Sequence, residues 1–120
     1  MVANRPRPAD PAEVTAALAA SPRTEEQTRL LVKHFMAVLE GRAPGLSVEV
    51  RVPPYAAVQA VEGVRHTRGT PPAVVETDAE TWLALAVGAL TFADAERAGK
   101  LRASGERADL TPYLPLLEEA

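Results

Sequence analysis

The sequence predicts an α+β domain in which helices pack against a five-stranded, mostly antiparallel sheet. Apolar residues first recur at helical spacing, and from residue 46 onward they alternate with polar residues as in strands. The stretch 73–105 then holds a strand, two short helices that each end at a glycine, and a second strand. The resulting order is helix, three strands, strand, two helices, strand and helix, which fits an α+β layer architecture.

The chain begins with a segment unlike the rest. Residues 1–9 are rich in proline and arginine and predict a flexible tail, which leaves 10–120 as a single domain. A capping-box pattern that starts at Asp10 predicts a short helix to about Ala20.

The longest predicted helix follows. It begins after Thr24, which forms a capping-box pattern with Gln27, and runs to about Glu40, where Gly41 ends it. Its apolar stripe indicates that one helix face packs on the sheet. The stripe consists of Leu31, Phe35, Val38 and Leu39.

Three strands are predicted next. Valines alternate with charged residues over 48–52, so this strand is half buried. A second strand spans 55–62, and Gly63 offers a tight turn into a third at 64–68. Prolines 71–72 suggest an edge or a loop before the next strand, because a central strand cannot spare the backbone donor.

The block from residue 73 to 105 is predicted from its caps. Val74 and Val75 suit a buried strand, and Thr77 with Glu80 forms a capping-box pattern for the helix after it. Gly88 is placed to end that helix in a left-handed conformation.

The same pattern of an N-terminal cap and a terminating glycine is then repeated. Thr91 with Asp94 begins a second short helix, Gly99 ends it, and the alternation from Lys100 to Gly105 predicts a strand. A final helix is predicted to begin at Pro112 after the cap Thr111, and Pro115 is expected to keep it short.

Composition excludes several classes of function. The chain has no cysteine, which removes disulfides and thiolate chemistry, and no run approaches the ~20 apolar residues of a membrane helix. Its net charge of −3 argues against nucleic acid as the main partner. We therefore expect a cytoplasmic protein without stable membrane insertion.

The central block also carries a family resemblance. The pattern W-L-A-L-A-x-G-x-L-x-x-x-x-A-x-x-A-G-K-L-x-x-S-G over 82–105 resembles the C-terminal half of sterol carrier protein (SCP-2-like) domains. The segments RVPPYAAVQAVEGVRHTRGTPPAVVETD and ASGERADLTPYLPL resemble the bacterial branch of that family, so the likeness covers roughly 46–117. It implies the sterol-carrier fold and a non-enzymatic module that holds a lipid or fatty acyl chain.

The resemblance also implies a site. Its apolar pocket between sheet and helices would be lined by Phe35, Leu39, Val50, Val75, Trp82, Leu85, Leu101, Leu114 and Leu117. A head group would be held by Arg51 or Arg65, because a guanidinium pairs well with carboxylate or phosphate. The alternatives are a close-packed core without a cavity, and arginines that pair with Glu49 and Glu62 on a solvated strand.

The residues predict no catalytic site, metal site or cofactor. His34 and His66 are the only histidines, and no spacing supplies the further ligands that a metal needs. Ser104-Gly105 lacks the frame of a nucleophile elbow. The alternative function is an accessory, protein-interaction or homodimerisation module, since related domains occur fused to bacterial thiol-dependent isomerases and acetyltransferases.

Overall fold

The computed structural model describes residues 6–63, 73–105 and 108–117 and has the predicted α+β architecture. Its helices are α1 (Pro11–Ala19), α2 (Glu25–Arg42), α3 (Ala79–Val87) and α4 (Phe92–Arg97). Its strands are β1 (Val48–Val52), β2 (Ala56–Ala60), β3 (Ala73–Thr77) and β4 (Leu101–Ser104). The division into a tail at 1–9 and a domain at 10–120 stays a prediction.

The sheet differs from the predicted one. Over the described ranges it has four strands rather than five, in the order β2-β1-β3-β4. The β1–β2 and β3–β4 pairs are antiparallel, but the central β1–β3 pair is parallel, so the sheet is mixed and the prediction of a mostly antiparallel sheet is wrong. The strand predicted at 64–68 lies outside the described residues.

The parallel pair follows from where β2 ends. Ala60 at the end of β2 and Ala73 at the start of β3 both pair with Val48, on opposite sides of β1. Ser47 joins the three segments there: its N–H and Oγ donate to the Val61 carbonyl at 3.1 and 2.7 Å, and its own carbonyl accepts from the Ala73 N–H at 3.1 Å. The chain thus enters β1 and β3 at the same end.

The structure confirms most of the predicted helices and corrects details of their ends. Thr24 and Gln27 form the predicted capping box of α2, but the helix continues through Gly41 to Arg42. Asp78, not Thr77, caps α3: its carboxylate accepts from the Thr81 N–H at 2.7 Å. The side chain of the rejected candidate is used elsewhere, because the Thr77 hydroxyl donates to the Lys100 carbonyl at 2.8 Å.

The capping box predicted at Asp10 is not formed, because Asp10 precedes α1 but its side chain makes no cap hydrogen bond. The caps of α3 and α4 follow the prediction more closely. Gly88 ends α3 in the left-handed region at φ 83°, and Thr91 caps α4 through the Asp94 N–H. The helix predicted from Pro112 is only a 3₁₀ turn, Thr111–Tyr113. A proline two residues later offers no N–H with which to extend it.

The core lies between the apolar face of the sheet and the helices. The three valines of β1 are fully buried, whereas Glu49 and Arg51 alternate with them on the opposite face. Trp82 on α3 is also fully buried, and its indole N–H donates to the Val32 carbonyl of α2 at 3.3 Å. Helix α2 contacts α1, α3 and β2, so one of its sides closes the core and another faces α1.

Candidate functional site

The sheet–helix layer is close-packed at the residues predicted to line a pocket. Seven of the nine are at most 3% exposed: Phe35, Leu39, Val50, Val75, Trp82, Leu85 and Leu101. The other two, Leu114 and Leu117, lie in the C-terminal segment, where Leu114 is partly buried and Leu117 is 42% exposed. The structure therefore brings seven side chains together in the core and leaves two at its margin.

An open groove lies on another side of α2. It has a volume of about 690 Å³, within the ~300–1,000 Å³ typical of small-molecule sites. Helix α1 with the residues before it, the second half of α2 and the C-terminal segment form its walls. The lining residues are Pro8, Ala9, Pro11, Val14, Thr15, Leu18, His34, Phe35, Ala37, Val38, Gly41, Arg42, Leu116 and Leu117. Phe35 and Leu117 are thus the predicted pocket residues that also line this groove.

The lining is apolar and carries one permanent positive charge. Thr15, His34 and Arg42 contribute its polar side chains. No Asp or Glu of the described ranges lines it, although the chain holds 16 acidic residues. An apolar cleft with a few polar groups is the usual character of a small-molecule site.

The N-terminal wall is held to α2 by a histidine. The Ala9 N–H donates to Nδ1 of His34 at 2.9 Å, and the imidazole packs edge-on against Phe35 with ring centroids 5.0 Å apart. At the other end of α1, Arg23 donates to the carbonyls of Ala17 and Leu18 at 2.9 and 3.3 Å. Both ends of the wall are therefore fixed by hydrogen bonds.

The C-terminal wall is held by Arg42. One guanidinium nitrogen, Nη1, donates to the carbonyls of Tyr113 and Pro115 at 3.1 and 2.6 Å. The N–H groups of Leu116 and Leu117 donate to the Ala86 carbonyl of α3 at 2.8 and 3.0 Å. Sequence reasoning missed Arg42, because an arginine in the last turn of a helix is ordinary and its partners lie some 70 residues away.

The predicted head-group residue Arg51 lies elsewhere. It sits on the exposed face of the sheet and pairs with Glu49 at 2.9 Å and, more distantly, with Glu76 at 3.9 Å. The hydrogen bond and charge of Glu49 raise the pKa of the Arg51 guanidinium. The structure therefore does not bring Arg51 to the groove, and it matches the alternative of a paired, solvated strand surface. Arg65 and His66 lie outside the described residues.

A second hollow, of about 850 Å³, lies near the start of α3 and is less apolar in character. Asp78, Glu80 and Arg23 line it beside Tyr55. Over the described ranges, no group of three His, Asp or Glu side chains could hold a metal ion. None of the helices described there has the length and apolarity needed to cross a membrane.

The family comparison agrees with the resemblance. A family model described as "Bacterial SCP ortholog" matches residues 24–116. A search of curated proteins gives no match. The wall of the groove from Pro8 to Leu18 lies before the matched range, whereas α2 and the sheet lie within it.

Proposed function

The chain belongs to the bacterial SCP ortholog family, and from that premise we propose that it is a non-enzymatic, sterol-carrier-like module that binds an apolar small molecule. The ligand is a lipid or fatty acyl chain, and the setting is the cytoplasm. The apolar groove of about 690 Å³ along α2 is the observation that carries this proposal.

In this proposal the acyl chain lies against α2. Leu117 contacts it directly, because it lines the groove and is 42% exposed, whereas Phe35 is 1% exposed and forms part of the groove floor. Leu114 stands at the margin, and the fully packed members of the predicted set form the layer behind the ligand. Binding draws on apolar burial, at about 0.8 kcal/mol for each buried methylene, or roughly fourfold in affinity.

Displacement of a fluorescent fatty acid tests the proposal. We expect octanoate, decanoate and dodecanoate to displace it at micromolar to millimolar concentration, with affinity rising roughly fourfold per methylene until the groove is filled. A folded sample that takes up neither the reporter nor any of the three acids would refute ligand binding.

Gly41 offers a way to close the groove without unfolding the protein. It lines the groove within α2, and a Cβ added there meets no atom within 4 Å. Gly41→Leu should therefore weaken uptake about tenfold or more, because its side chain occupies ligand space. Gly41→Ala is the matched control and should bind as the wild type does; equal binding by all three proteins would place the ligand outside the groove.

The second candidate is an accessory or dimerisation module with a filled core. The close packing of the seven predicted pocket residues favours it, because a filled layer leaves no space between sheet and helices. It predicts a homodimer or a stable protein partner. Light scattering over a range of protein concentrations distinguishes the two, since a monomer that binds dodecanoate excludes the homodimer and supports the carrier function.

A further inference from the structure

We propose that Arg42 makes the groove selective for molecules that end in an anion. The occupant would be a single-chain amphipathic carboxylate, bound in preference to a neutral or cationic molecule of the same chain length. The inference rests on the proposed function, because it assigns the head-group end of the same groove. Leu117 remains a contact of the apolar chain.

The first observation in favour of this proposal is the charge of the residues that line the groove. Among the described residues that line the groove, Arg42 is the only Lys or Arg, and none of those residues is Asp or Glu. On the exposed face of the sheet, by contrast, arginines are paired with carboxylates: Arg51 contacts Glu49, and Arg102 contacts Glu76. An apolar cleft whose described lining carries one cation and no carboxylate is complementary to an apolar chain with one negative end.

The second observation is that, among the described residues, the hydrogen bonds of Arg42 use only one of its guanidinium nitrogens. A guanidinium has five N–H donors, and the two bonds to Tyr113 and Pro115 both leave from Nη1. Within the described part of the chain, Nε and Nη2 form no hydrogen bond. These two nitrogens make up one edge of the guanidinium, and such an edge binds a carboxylate through two parallel hydrogen bonds.

The two carbonyls also fix the guanidinium before any ligand arrives. Arginine ordinarily loses considerable side-chain freedom when it binds an anion, and a side chain that is already anchored loses less. Arg42 is nevertheless exposed, so water reaches its unused edge in the empty groove. A ligand carboxylate can therefore take the place of that water.

The position of Arg42 at the end of α2 also predicts how its substitution changes the binding of anions. It is the last residue of α2, where the helix dipole places partial negative charge. Without the guanidinium, this end of the groove would repel a carboxylate. Substitution should therefore abolish anion preference while leaving the apolar contacts unchanged.

Three probes with the same chain separate the head group from the chain. Dodecanoate, dodecan-1-ol and dodecyltrimethylammonium, each below its micelle concentration, would compete with a fluorescent fatty acid at pH 8. We expect the wild type to bind dodecanoate about tenfold more tightly than the alcohol, and the ammonium compound least. Raising the salt concentration should reduce the preference for the acid and leave alcohol binding unchanged.

Variants then assign the preference to a residue. Arg42→Gln should bind the alcohol within about twofold of the wild type and lose its preference for the acid, whereas Arg42→Lys keeps part of it. Arg51→Gln removes one positive charge from the opposite face of the sheet and should leave the preference unchanged. Thermal melts of each variant confirm that it is folded.

The results with the three probes distinguish failure of the Arg42 inference from failure of the proposed carrier function. Equal binding of acid and alcohol by the wild type would overturn the inference while the carrier function stands, and this comparison needs no variant. A preference that survives in Arg42→Gln and disappears in Arg51→Gln would assign the head group to Arg51 and also overturn it. Failure of all three probes to bind would instead refute the proposed function on which it rests.

Discussion

Helix α2 has two sides that differ in how they are covered. On the sheet side, Leu31 and Leu39 are fully buried and belong to the same core cluster as the valines of β1 and Trp82, and together they form a closed layer. On the α1 side, Val38 is only partly buried and Gly41 is exposed. A single helix therefore builds both a packed core and an open groove.

The difference comes from the partner on each side. On the sheet side, α2 contacts β2, and the inward side chains of β1 and β2, among them Val50, Val58 and Ala60, are buried in the core. Helix α1 has nine residues and buries only Val14 and Ala17, so it covers α2 incompletely. Space for a ligand thus arises where the covering element is short and lined by small residues.

The largest effect is expected in the closed layer. Trp82→Ala should lower the free energy of unfolding by about 3–5 kcal/mol, because it removes a fully buried indole and leaves a cavity. Leu117→Ala is the control from the open side and should cost under about 1 kcal/mol, since that side chain is 42% exposed. Urea denaturation measures both. Similar losses for the two variants would mean that the regions do not differ as described.

The next effect concerns the connection from α2 to β1, which belongs to the closed region. A Cβ at Gly45 would lie well inside contact distance of the Val61 carbonyl, so Gly45→Ala should destabilise by about 3 kcal/mol. Gly99→Ala should cost only about 1–2 kcal/mol, because at φ 74° its added methyl is strained but meets no atom within 4 Å. Chemical denaturation of the pair would contradict this account if Gly99→Ala proved the more damaging.

The smallest effect lies at the turn that leads into the C-terminal wall. Hydrogen bonds from the hydroxyl and N–H of Thr111 lower the pKa of Asp109. A lowered folded-state pKa means that the carboxylate stabilises the fold above the unfolded pKa, near 3.8, and that this stabilisation is lost as pH falls through the folded value.

Asp109→Asn should therefore cost a few tenths of a kcal/mol at pH 7, since the site is exposed. The difference from the wild type should shrink as the pH is lowered below about 4. Melting temperatures measured from pH 7 to pH 2 test this. A difference that grows on acidification would have the wrong sign for a carboxylate of lowered pKa.

Local signals predicted the parts of the fold that depend on neighbouring residues. Thr24, Thr91 and Gly88 act within one helical turn, so their capping roles were readable from spacing alone. The capping-box pattern places the cap of α3 one residue early, because Thr77 and Asp78 are both good capping residues. The choice depends on Lys100, whose carbonyl accepts a hydrogen bond from the Thr77 hydroxyl and so leaves Asp78 as the cap.

The groove and the parallel strand pair could not be predicted in the same way. Both depend on segments far apart in the chain: Ser47 meets Val61 and Ala73, and Arg42 meets Tyr113. Of the nine apolar residues that the family resemblance groups together, seven share the core cluster, whereas Leu114 only packs against it and Leu117 is exposed. The resemblance did not indicate which side of α2 is left open, because α1 lies outside the matched range.

The single tryptophan of this protein stands in the closed layer and not in the groove. Its buried indole, hydrogen-bonded to Val32, makes it a spectroscopic reporter of the core alone. Intrinsic emission should consequently shift to the red when the chain unfolds and hold its wavelength while an acyl chain is taken up. The emission wavelength of Trp82 therefore distinguishes unfolding of the chain from uptake of a ligand.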